Sequence, residues 1–331
     1  MLNAYSGEQK SPIAFARTGQ QIGQEAAARA KKIAVPDGLK YSRATDAKQD
    51  MAVAETAPSF RFRDCPKVEL GNHDLPVLGR WDVVVVGGGT SGAPAAIGAS
   101  REGAKTLVLE YMDELGGVGT AGLVAMYWYG FETGFTAEID QALGVKGHRW
   151  NPIQKAEWLR AELMKNDAEV WFRSFGCGAV MQGNKVAGVV VATPFGRGVV
   201  LADTVIDSTG NADIAAAAGA DTHYSISALG DLSVQVAGYP DRDLGRHLNN
   251  TAYAMVSDND VLDRSHFLMT ARQSMAIKKK AYDMGQLIDS RDRRRVVGDY
   301  MLTTQDVLAA RTFPDTISHH RSNFDAGALP D

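Results

Sequence analysis

Hydrophobic positions first gather at residues 83–86, a run of four valines that ends abruptly at Gly87. A short run of β-branched residues closed by glycine is typical of a buried strand in a parallel sheet. Residues 91–102 follow with small and apolar positions and predict a helix, in which Pro94 is tolerated because it falls in the first turn. Residues 106–110 predict a second strand. The pattern is that of a β-α-β unit.

A second helix is predicted after Asn151 and Pro152, which have the chemistry of an N-cap and a first helical position. Apolar residues follow at helical spacing, namely Ile153, Ala156, Leu159 and Leu163. These four positions are therefore expected to share one buried helix face.

Two further patterns lie downstream. Residues 169–172 predict another strand, and residues 185–207 contain three short β-rich runs separated by Pro/Gly turns, which predicts a β-meander that returns to the sheet. The sequence TTQD at 303–306 has capping-box spacing ahead of another helix.

The first 60 residues differ from the rest, because they are rich in Ala, Gln and Lys and poor in large apolar side chains. One helix is predicted near residues 20–33, before the turn residues 36–38. The composition predicts an N-terminal arm, residues 1–60, that is poorly ordered or wraps a partner subunit.

Composition narrows the functional class. The 331 residues are 45% hydrophobic and 22% charged, which allows a large core and two domains. A formal net charge of −4 argues against a nucleic-acid-binding protein. We expect no membrane span, no targeting segment and a cytoplasmic location. Cys65 and Cys177 lack metal-ligand spacing, so neither a metal site nor a disulfide framework is predicted.

The clearest chemical signal is the motif G-x-G-x-x-G at Gly87, Gly89 and Gly92, which stands between a predicted strand and a predicted helix. Such glycines permit a tight turn, close backbone approach to a pyrophosphate and helix packing on the sheet. The helix N-terminus then offers free amides to the phosphates. Glu110 ends the next strand, where a carboxylate binds ribose hydroxyls and repels a 2′-phosphate. The motif predicts a dinucleotide site.

Further segments resemble a known family. They are ELGGVGTAG at 114–122, the meander at 186–207, STGNADIAAAAGA at 208–220 and RRRVVGDYMLTTQDVLAARTFPD at 293–315. Together they resemble the FAD-dependent oxidoreductases of the fumarate-reductase and glutathione-reductase-like superfamily, and within it a bacterial branch. The resemblance covers roughly residues 68 to 325. It implies an α/β fold, with a doubly wound Rossmann-type FAD-binding domain at 61–215 and an α+β substrate domain at 216–331.

The resemblance also implies roles for individual residues around FAD. The pyrophosphate would be held by Gly87, Gly89, Thr90, Ser91 and Gly92. Glu110 would bind the adenosine ribose, and Val180 or Ala179 would offer backbone to the adenine. The ribityl chain and flavin ring would run beside Gly116, Gly117, Gly119 and Thr120. The turn that closes over the cofactor would contain Thr209, Gly210 and Asp213.

One part of the family pattern is absent. The family returns to a last Rossmann strand and a glycine-led helix that points at the flavin, and no such pattern follows residue 215. We therefore expect an FAD domain that is incomplete in this chain. A second polypeptide, either a C-terminal fragment of a cleaved precursor or a separate subunit, would complete it in a hetero-oligomer. A truncated gene is the alternative that stays open.

The expected reaction is transfer of hydride from a substrate C–H to flavin N5, since one dinucleotide motif gives no nicotinamide half-site. His319 and His320 are the candidate bases. The family often has a His at the position of Ala326, so this assignment is not carried over from a matching residue. Arg294, within the run 293–295, is the candidate for binding a substrate carboxylate. The aromatic residues at 127–131 would form either a substrate wall or a core cluster.

The substrate class stays open at this stage. A sugar or glycoside alcohol would suit an aromatic wall, and an amine or amino acid would suit the arginines. A non-catalytic nucleotide-binding subunit is the alternative of another class. An NAD(P)-binding protein is disfavoured by Thr120 and Asp213.

Overall fold

A computed structural model shows the architecture of the chain. It describes residues 12–32, 51–55, 66, 74–127, 130–145, 147, 149–224, 235–237, 262, 265–270, 273, 286–289 and 294–316.

The described part of the chain contains both helices and strands. The helices are α1 (Pro12–Ala30), α2 (Gly92–Arg101), α3 (Phe135–Leu143), α4 (Pro152–Lys165), α5 (Asp213–Ala217) and α6 (Thr304–Leu308), with a 3-10 turn at Gly117–Gly119. The strands are β1 (Ala52–Glu55), β2 (Val77–Val86), β3 (Thr106–Leu109), β4 (Glu169–Trp171), β5 (Phe175–Gln182), β6 (Lys185–Thr193), β7 (Gly196–Asp207), β8 (Thr222–Tyr224), β9 (Gln235–Ala237), β10 (Gln286–Asp289) and β11 (Arg294–Val296).

A seven-stranded sheet in the order β1-β5-β6-β7-β2-β3-β4 forms the centre. β7, β2, β3 and β4 are parallel, as the valine run predicts for a strand buried on both faces. The register pairs Val86 with both Leu109 and Asp207. The carboxyl ends of three neighbouring strands therefore lie side by side, where α/β folds bind ligands. This is a Rossmann-type arrangement, as expected.

The predicted β-meander is present, but residues 185–207 form two strands and not three short runs. β7 is continuous over twelve residues. Residues 196–201 pair antiparallel with β6, and residues 199–207 pair parallel with β2. The polar residue Asp203 does not interrupt it, because its carboxylate forms an ion pair with Arg80 of β2. One strand thus leads from the meander to the edge of the parallel sheet.

Both faces of the sheet are packed. On one face Val83 and Val85 contact a helical layer that includes Ile97 of α2 and Leu159 of α4. On the other face Val84 and Val86 join residues of the meander and Ile214. Alternate side chains of one strand thus serve two separate cores, which is why the run has no polar position.

Helix α1 packs against α2 of the same chain. The helices are so close that a Cβ on Gly19 would lie 2.2 Å from the carbonyl oxygen of Ser91, and one on Gly23 would lie 1.8 Å from that of Ala95. Ala27 is fully buried in the same core. Together with β1, which pairs with β5, this corrects the expectation of a loosely ordered or partner-wrapping arm for these two segments. The helix also begins earlier than the predicted 20–33.

Both predicted helix starts are confirmed. Asn151 accepts from the backbone N–H groups of Ile153 and Gln154 at 3.0 and 3.2 Å. Thr303 and Asp306 form the reciprocal capping box of α6.

The described strands after α5 form two-stranded sheets, β8 with β11 and β9 with β10. The boundaries 61–215 and 216–331 remain predictions.

Candidate functional site

The first glycine turn follows β2. Gly87 has a φ of +92°, and its N–H donates to the carbonyl of Leu109 at 2.7 Å. A Cβ on Gly87 would lie 2.4 Å from the carbonyl oxygen of Ser208, and one on Gly92 would lie 1.8 Å from that of Gly87. Real Cβ contacts are almost never closer than 3.0 Å. Only glycine allows the backbones of β2, α2 and the end of β7 to meet here.

The start of α2 is not capped by a side chain. Ser91 is the N-cap residue and makes no side-chain cap hydrogen bond; its Oγ lies 3.2 Å from Oγ of Ser208. Thr90 donates its hydroxyl to the carbonyl of Gly116 at 3.1 Å. The first N–H groups of a helix without such a cap suit an anion, and the helix dipole favours negative charge there.

A second glycine turn packs on the first. Gly116 and Gly117 have positive φ values, and the N–H of Gly116 donates to the carbonyl of Gly88 at 2.9 Å. Thr120 is buried, and its hydroxyl donates to the carbonyl of Leu115. This segment forms a 3-10 turn into which no strand leads directly, because β3 already ends at Leu109, so it is not a second Rossmann loop, as expected.

The two turns meet at Gly89. A Cβ on Gly117 would lie 3.0 Å from the Cα of Gly89, while the nearest atom to a Cβ on Gly89 would be the Cα of Gly117 at 4.0 Å. Gly89 therefore faces open space beside the start of α2. The structure brings the predicted pyrophosphate residues and the predicted flavin-side residues together at this cradle.

Glu110 lies next to the first turn and is buried. Its Oε2 accepts from the N–H of Gly88 at 2.7 Å, and its Oε1 accepts from that of Met112 at 2.8 Å. Burial raises the pKa of this carboxyl, and the backbone hydrogen bonds act in the opposite direction. The backbone of Tyr111 also bonds this carboxylate. The carboxylate stabilises the turn, and its roughly four lone-pair sites leave room for one further donor.

The third loop follows β7. The carboxylate of Asp207 accepts from the N–H and the hydroxyl of Thr209 and from the N–H groups of Ile214 and Ala215. Gly210 has a φ of +74°. These bonds fold the 208–213 segment back over the carboxyl end of the sheet. The loop begins beside the first glycine turn, since a Cβ on Gly87 would lie 3.2 Å from the backbone N of Thr209. That Thr209, Gly210 and Asp213 close over the cofactor remains a prediction.

The structure gives Arg294 a partner within the chain. Its guanidinium donates to Oδ1 of Asp213 at 3.1 Å, and its backbone N–H donates to Oδ1 of Asn211 at 2.8 Å. Arg294 thus secures the third loop, which differs from the expected role of binding a substrate carboxylate. His319 and His320 lie outside the described residues.

The expected aromatic wall is only partly described. Tyr127 is buried, donates its hydroxyl to Asp140 at 2.8 Å and packs on Trp150, so this residue belongs to the core. Phe131 is exposed. Residues 128 and 129 lie outside the described part of the chain.

Val180 does not fit its expected role. It lies inside β5, where it pairs with Val53 of β1 on one side and with Gly188 of β6 on the other. The ladders on both sides occupy its backbone, so the expectation that Val180 or its neighbour Ala179 offers backbone to adenine is corrected.

Sequence reasoning missed an aromatic pair beside Glu110. Tyr111 and Phe175 are exposed by 63% and 49%, and their ring centroids lie 6.5 Å apart in an edge-on arrangement. The N–H of Ser174 donates to the carbonyl of Glu110, which fixes Phe175 next to the acid. Sequence position alone could have indicated this pair, because Tyr111 directly follows Glu110 and Phe175 is the first residue of β5.

Within the described residues, two kinds of feature are absent. No group of three or more His, Cys, Asp or Glu side chains there could hold a metal ion. None of the helices described is long and apolar enough to cross a membrane.

Comparison with solved structures finds weak similarities. The THI4 protein of Thermovibrio ammonificans shares 21% identity over 42% of this chain and 61% of that chain, with a TM-score of 0.34. A geranylgeranyl bacteriochlorophyll reductase-like protein of Thermoplasma acidophilum shares 18% over 66% and 67%, with a TM-score of 0.40. L-proline dehydrogenase of P. horikoshii shares 14% over 51% and 63%, with a TM-score of 0.39. The chain thus spans 61 to 67% of the length of these proteins.

No curated protein matches the chain at a significant level. The sequence model of the family described as FAD dependent oxidoreductase matches residues 82–267. This match covers more than half of the chain and includes both glycine turns, Glu110 and the loop after β7. FAD is the cofactor of that family, and the uncapped start of α2 and the open space at Gly89 fit its pyrophosphate. The chain belongs to the FAD dependent oxidoreductase family.

Proposed function

We propose that the cradle between the two glycine turns holds FAD. The observation that carries this proposal is the geometry at Gly89, where the turns touch and the space beside the start of α2 is open. The pyrophosphate lies at the N-terminus of α2, beside Thr90 and Ser91. Gly116, Gly117, Gly119 and Thr120 provide close backbone approach for the ribityl and flavin end.

We assign the adenosine end of the cofactor to the surroundings of Glu110, away from the flavin-side turn. The remaining lone pair of the Glu110 carboxylate accepts from a ribose hydroxyl. The adenine ring packs against Tyr111 and Phe175, because two exposed aromatic faces beside the acid offer apolar area to a planar base. This replaces Val180 as the adenine contact.

The proposed activity is that of an oxidase or dehydrogenase acting on a small polar substrate such as a sugar or glycoside alcohol. When bound, FAD supplies the acceptor for hydride from a substrate C–H. The chain itself contributes binding, orientation and a base that takes the departing proton, for which His319 and His320 remain the candidates. Asp213, held by Arg294, keeps the third loop over the cofactor.

We also propose that a second polypeptide completes the FAD domain in a hetero-oligomer. The described strands that follow α5 lie in separate two-stranded sheets and not in the seven-stranded sheet. Intact mass spectrometry of the denatured native enzyme tests this part. A second polypeptide is the expected result, and a single 331-residue chain with full FAD occupancy would contradict it.

Absorbance and anaerobic titration test the activity. The purified protein should be yellow, and a substrate of the correct class should bleach the flavin absorbance without oxygen. A colourless protein that does not take up FAD would refute the cofactor assignment. Bound flavin that no alcohol, amine or amino acid reduces would instead favour a non-catalytic nucleotide-binding subunit.

A further inference from the structure

Lys155 of α4 is a buried lysine that none of the assignments above uses. Its side chain is only 7% exposed, and its Nζ lies 3.6 Å from the ring centroid of Trp150. An ammonium over an indole face gains cation–π energy. Burial of a charge nevertheless costs free energy, so a buried lysine at this position suggests a function that offsets the cost.

Lys155 and Trp150 lie directly behind the flavin-side turn. The indole Nε1 of Trp150 donates to the carbonyl of Gly119 at 2.7 Å. A Cβ on Gly119 would lie 3.5 Å from both Nζ of Lys155 and the Trp150 ring. The opposite side of the same turn meets Gly89. The turn is therefore held between the cradle on one side and the lysine–tryptophan pair on the other.

The charged groups around Lys155 belong to two neighbouring segments. The negative charge of Asp140 on α3 favours the charged form of Lys155. Asp140 also accepts a hydrogen bond from the hydroxyl of Tyr127, and the charge of Glu132 acts on that hydroxyl as well. Between α2, α3 and α4, Arg101 forms ion pairs with both Glu138 and Glu162. Burial lowers the pKa of Lys155 to about 7, and Asp140 opposes this shift.

We propose that Lys155 is a positioning residue for the flavin end of the FAD site. Through Trp150 it fixes the Gly117–Gly119 turn, and its ammonium places a positive charge behind the turn that favours the reduced, anionic cofactor. The assignment rests on the proposed FAD site, and it adds to that site a proton-dependent control of the cofactor's redox potential.

The main test measures the midpoint potential of bound FAD between pH 6 and 8.5. The variants are Lys155→Met, which keeps the volume without charge, and Lys155→Arg, which keeps the charge. Lys165→Met is the matched control, because Lys165 is an exposed lysine at the end of the same helix. We expect Lys155→Met to shift the potential to more negative values and to abolish a change of slope near pH 7. Lys155→Arg should keep the midpoint potential above that of Lys155→Met even at high pH. The Lys165→Met control should have the same potential as wild type.

A second readout needs no cofactor. The folded pKa of about 7 lies below the ordinary value of 10.5, so the unfolded chain binds more protons between these pH values. The stability of the wild type should therefore rise with pH over that interval. Lys155→Met should lack this rise, and the difference from wild type should be largest at or below pH 7. Urea unfolding of the cofactor-free protein at pH 6.5 and 9 measures it.

The two proposals fail in distinguishable ways. If the wild type binds FAD and Lys155→Met keeps both its potential and its pH dependence, the role of Lys155 is refuted. If the wild type binds no FAD, the proposed function fails, and the urea experiment alone decides whether Lys155 carries the buried charge. If unfolding of wild type and of Lys155→Met depends on pH in the same way, Lys155 does not carry the buried charge.

Discussion

Alanine substitutions at two glycines of one motif should separate folding from cofactor binding. At Gly92 the added Cβ would lie 1.8 Å from the carbonyl oxygen of Gly87, whereas ordinary contact begins at 3.4 Å. The shortfall of about 1.6 Å must be relieved by moving two backbone segments apart, because the two nearest atoms belong to the backbone of Gly87. Overpacking of a core costs about 1–3 kcal/mol and occasionally more, and the rigid neighbours place Gly92→Ala near about 3 kcal/mol.

Gly89→Ala is the opposite case. The new Cβ would meet nothing closer than 4.0 Å, and its φ is not in the left-handed region. The free energy of unfolding should therefore change by less than about 1 kcal/mol. FAD affinity should fall by at least about tenfold, or ~1.4 kcal/mol, because the methyl group fills the space assigned to the pyrophosphate.

Thermal melting of the cofactor-free protein and fluorescence titration with FAD distinguish the two variants. A loss of about 3 kcal/mol corresponds to a fall of roughly 6–12 °C in Tm for a domain of this size. Gly92→Ala should show that fall, and Gly89→Ala should melt like wild type but bind FAD weakly. Wild-type affinity in Gly89→Ala would refute the location of the cofactor, and an unchanged Tm in Gly92→Ala would refute the packing argument.

Three further changes test the framework around the site. Gly23→Val should undock α1, because its Cβ would meet the carbonyl of Ala95; faster limited proteolysis near residue 23 checks this, with the exposed Gln24→Val as control. Asp207→Ala removes the acceptor of four hydrogen bonds and should cost about 3 kcal/mol by urea unfolding, whereas Asp207→Asn should cost less; equal losses would contradict the argument. Thr303→Ala should destabilise the start of α6 by about 1 kcal/mol, seen as faster amide exchange there, and Thr303→Ser should restore protection.

Local signals in the sequence were sufficient for the centre of the fold. The valine run, the glycine motif and Glu110 depend on residues close together in the chain, as do the helix caps at Asn151 and Thr303. The structure places the first three at one edge of the sheet. These features are predictable because strand burial, turn geometry and capping are determined by short segments.

Tertiary contacts determine what the sequence did not predict. β7 is one strand that contains the polar residue Asp203, and the partner of Asp203, Arg80, lies 123 positions away. On α4 the expected apolar face included Ile153, which is 53% exposed, while Lys155 is buried. The burial of Lys155 is explained by its contact with the Trp150 ring, which is itself hydrogen-bonded to the Gly117–Gly119 turn. Phe175 likewise becomes a site candidate only when β5 starts beside Glu110.

The close contact between α1 and α2 has a consequence for synthesis on the ribosome. Gly23 meets the backbone at Ala95, and these residues are 72 positions apart in the chain. At about 5–20 residues per second, α1 waits roughly 4–14 seconds before its partner helix has been made. Most of the stability of a helix in a protein comes from the packing of its apolar face, so α1 gains its full stability only after α2 has been made. The first helix in the chain therefore depends for its docking on a segment that is synthesised several seconds later.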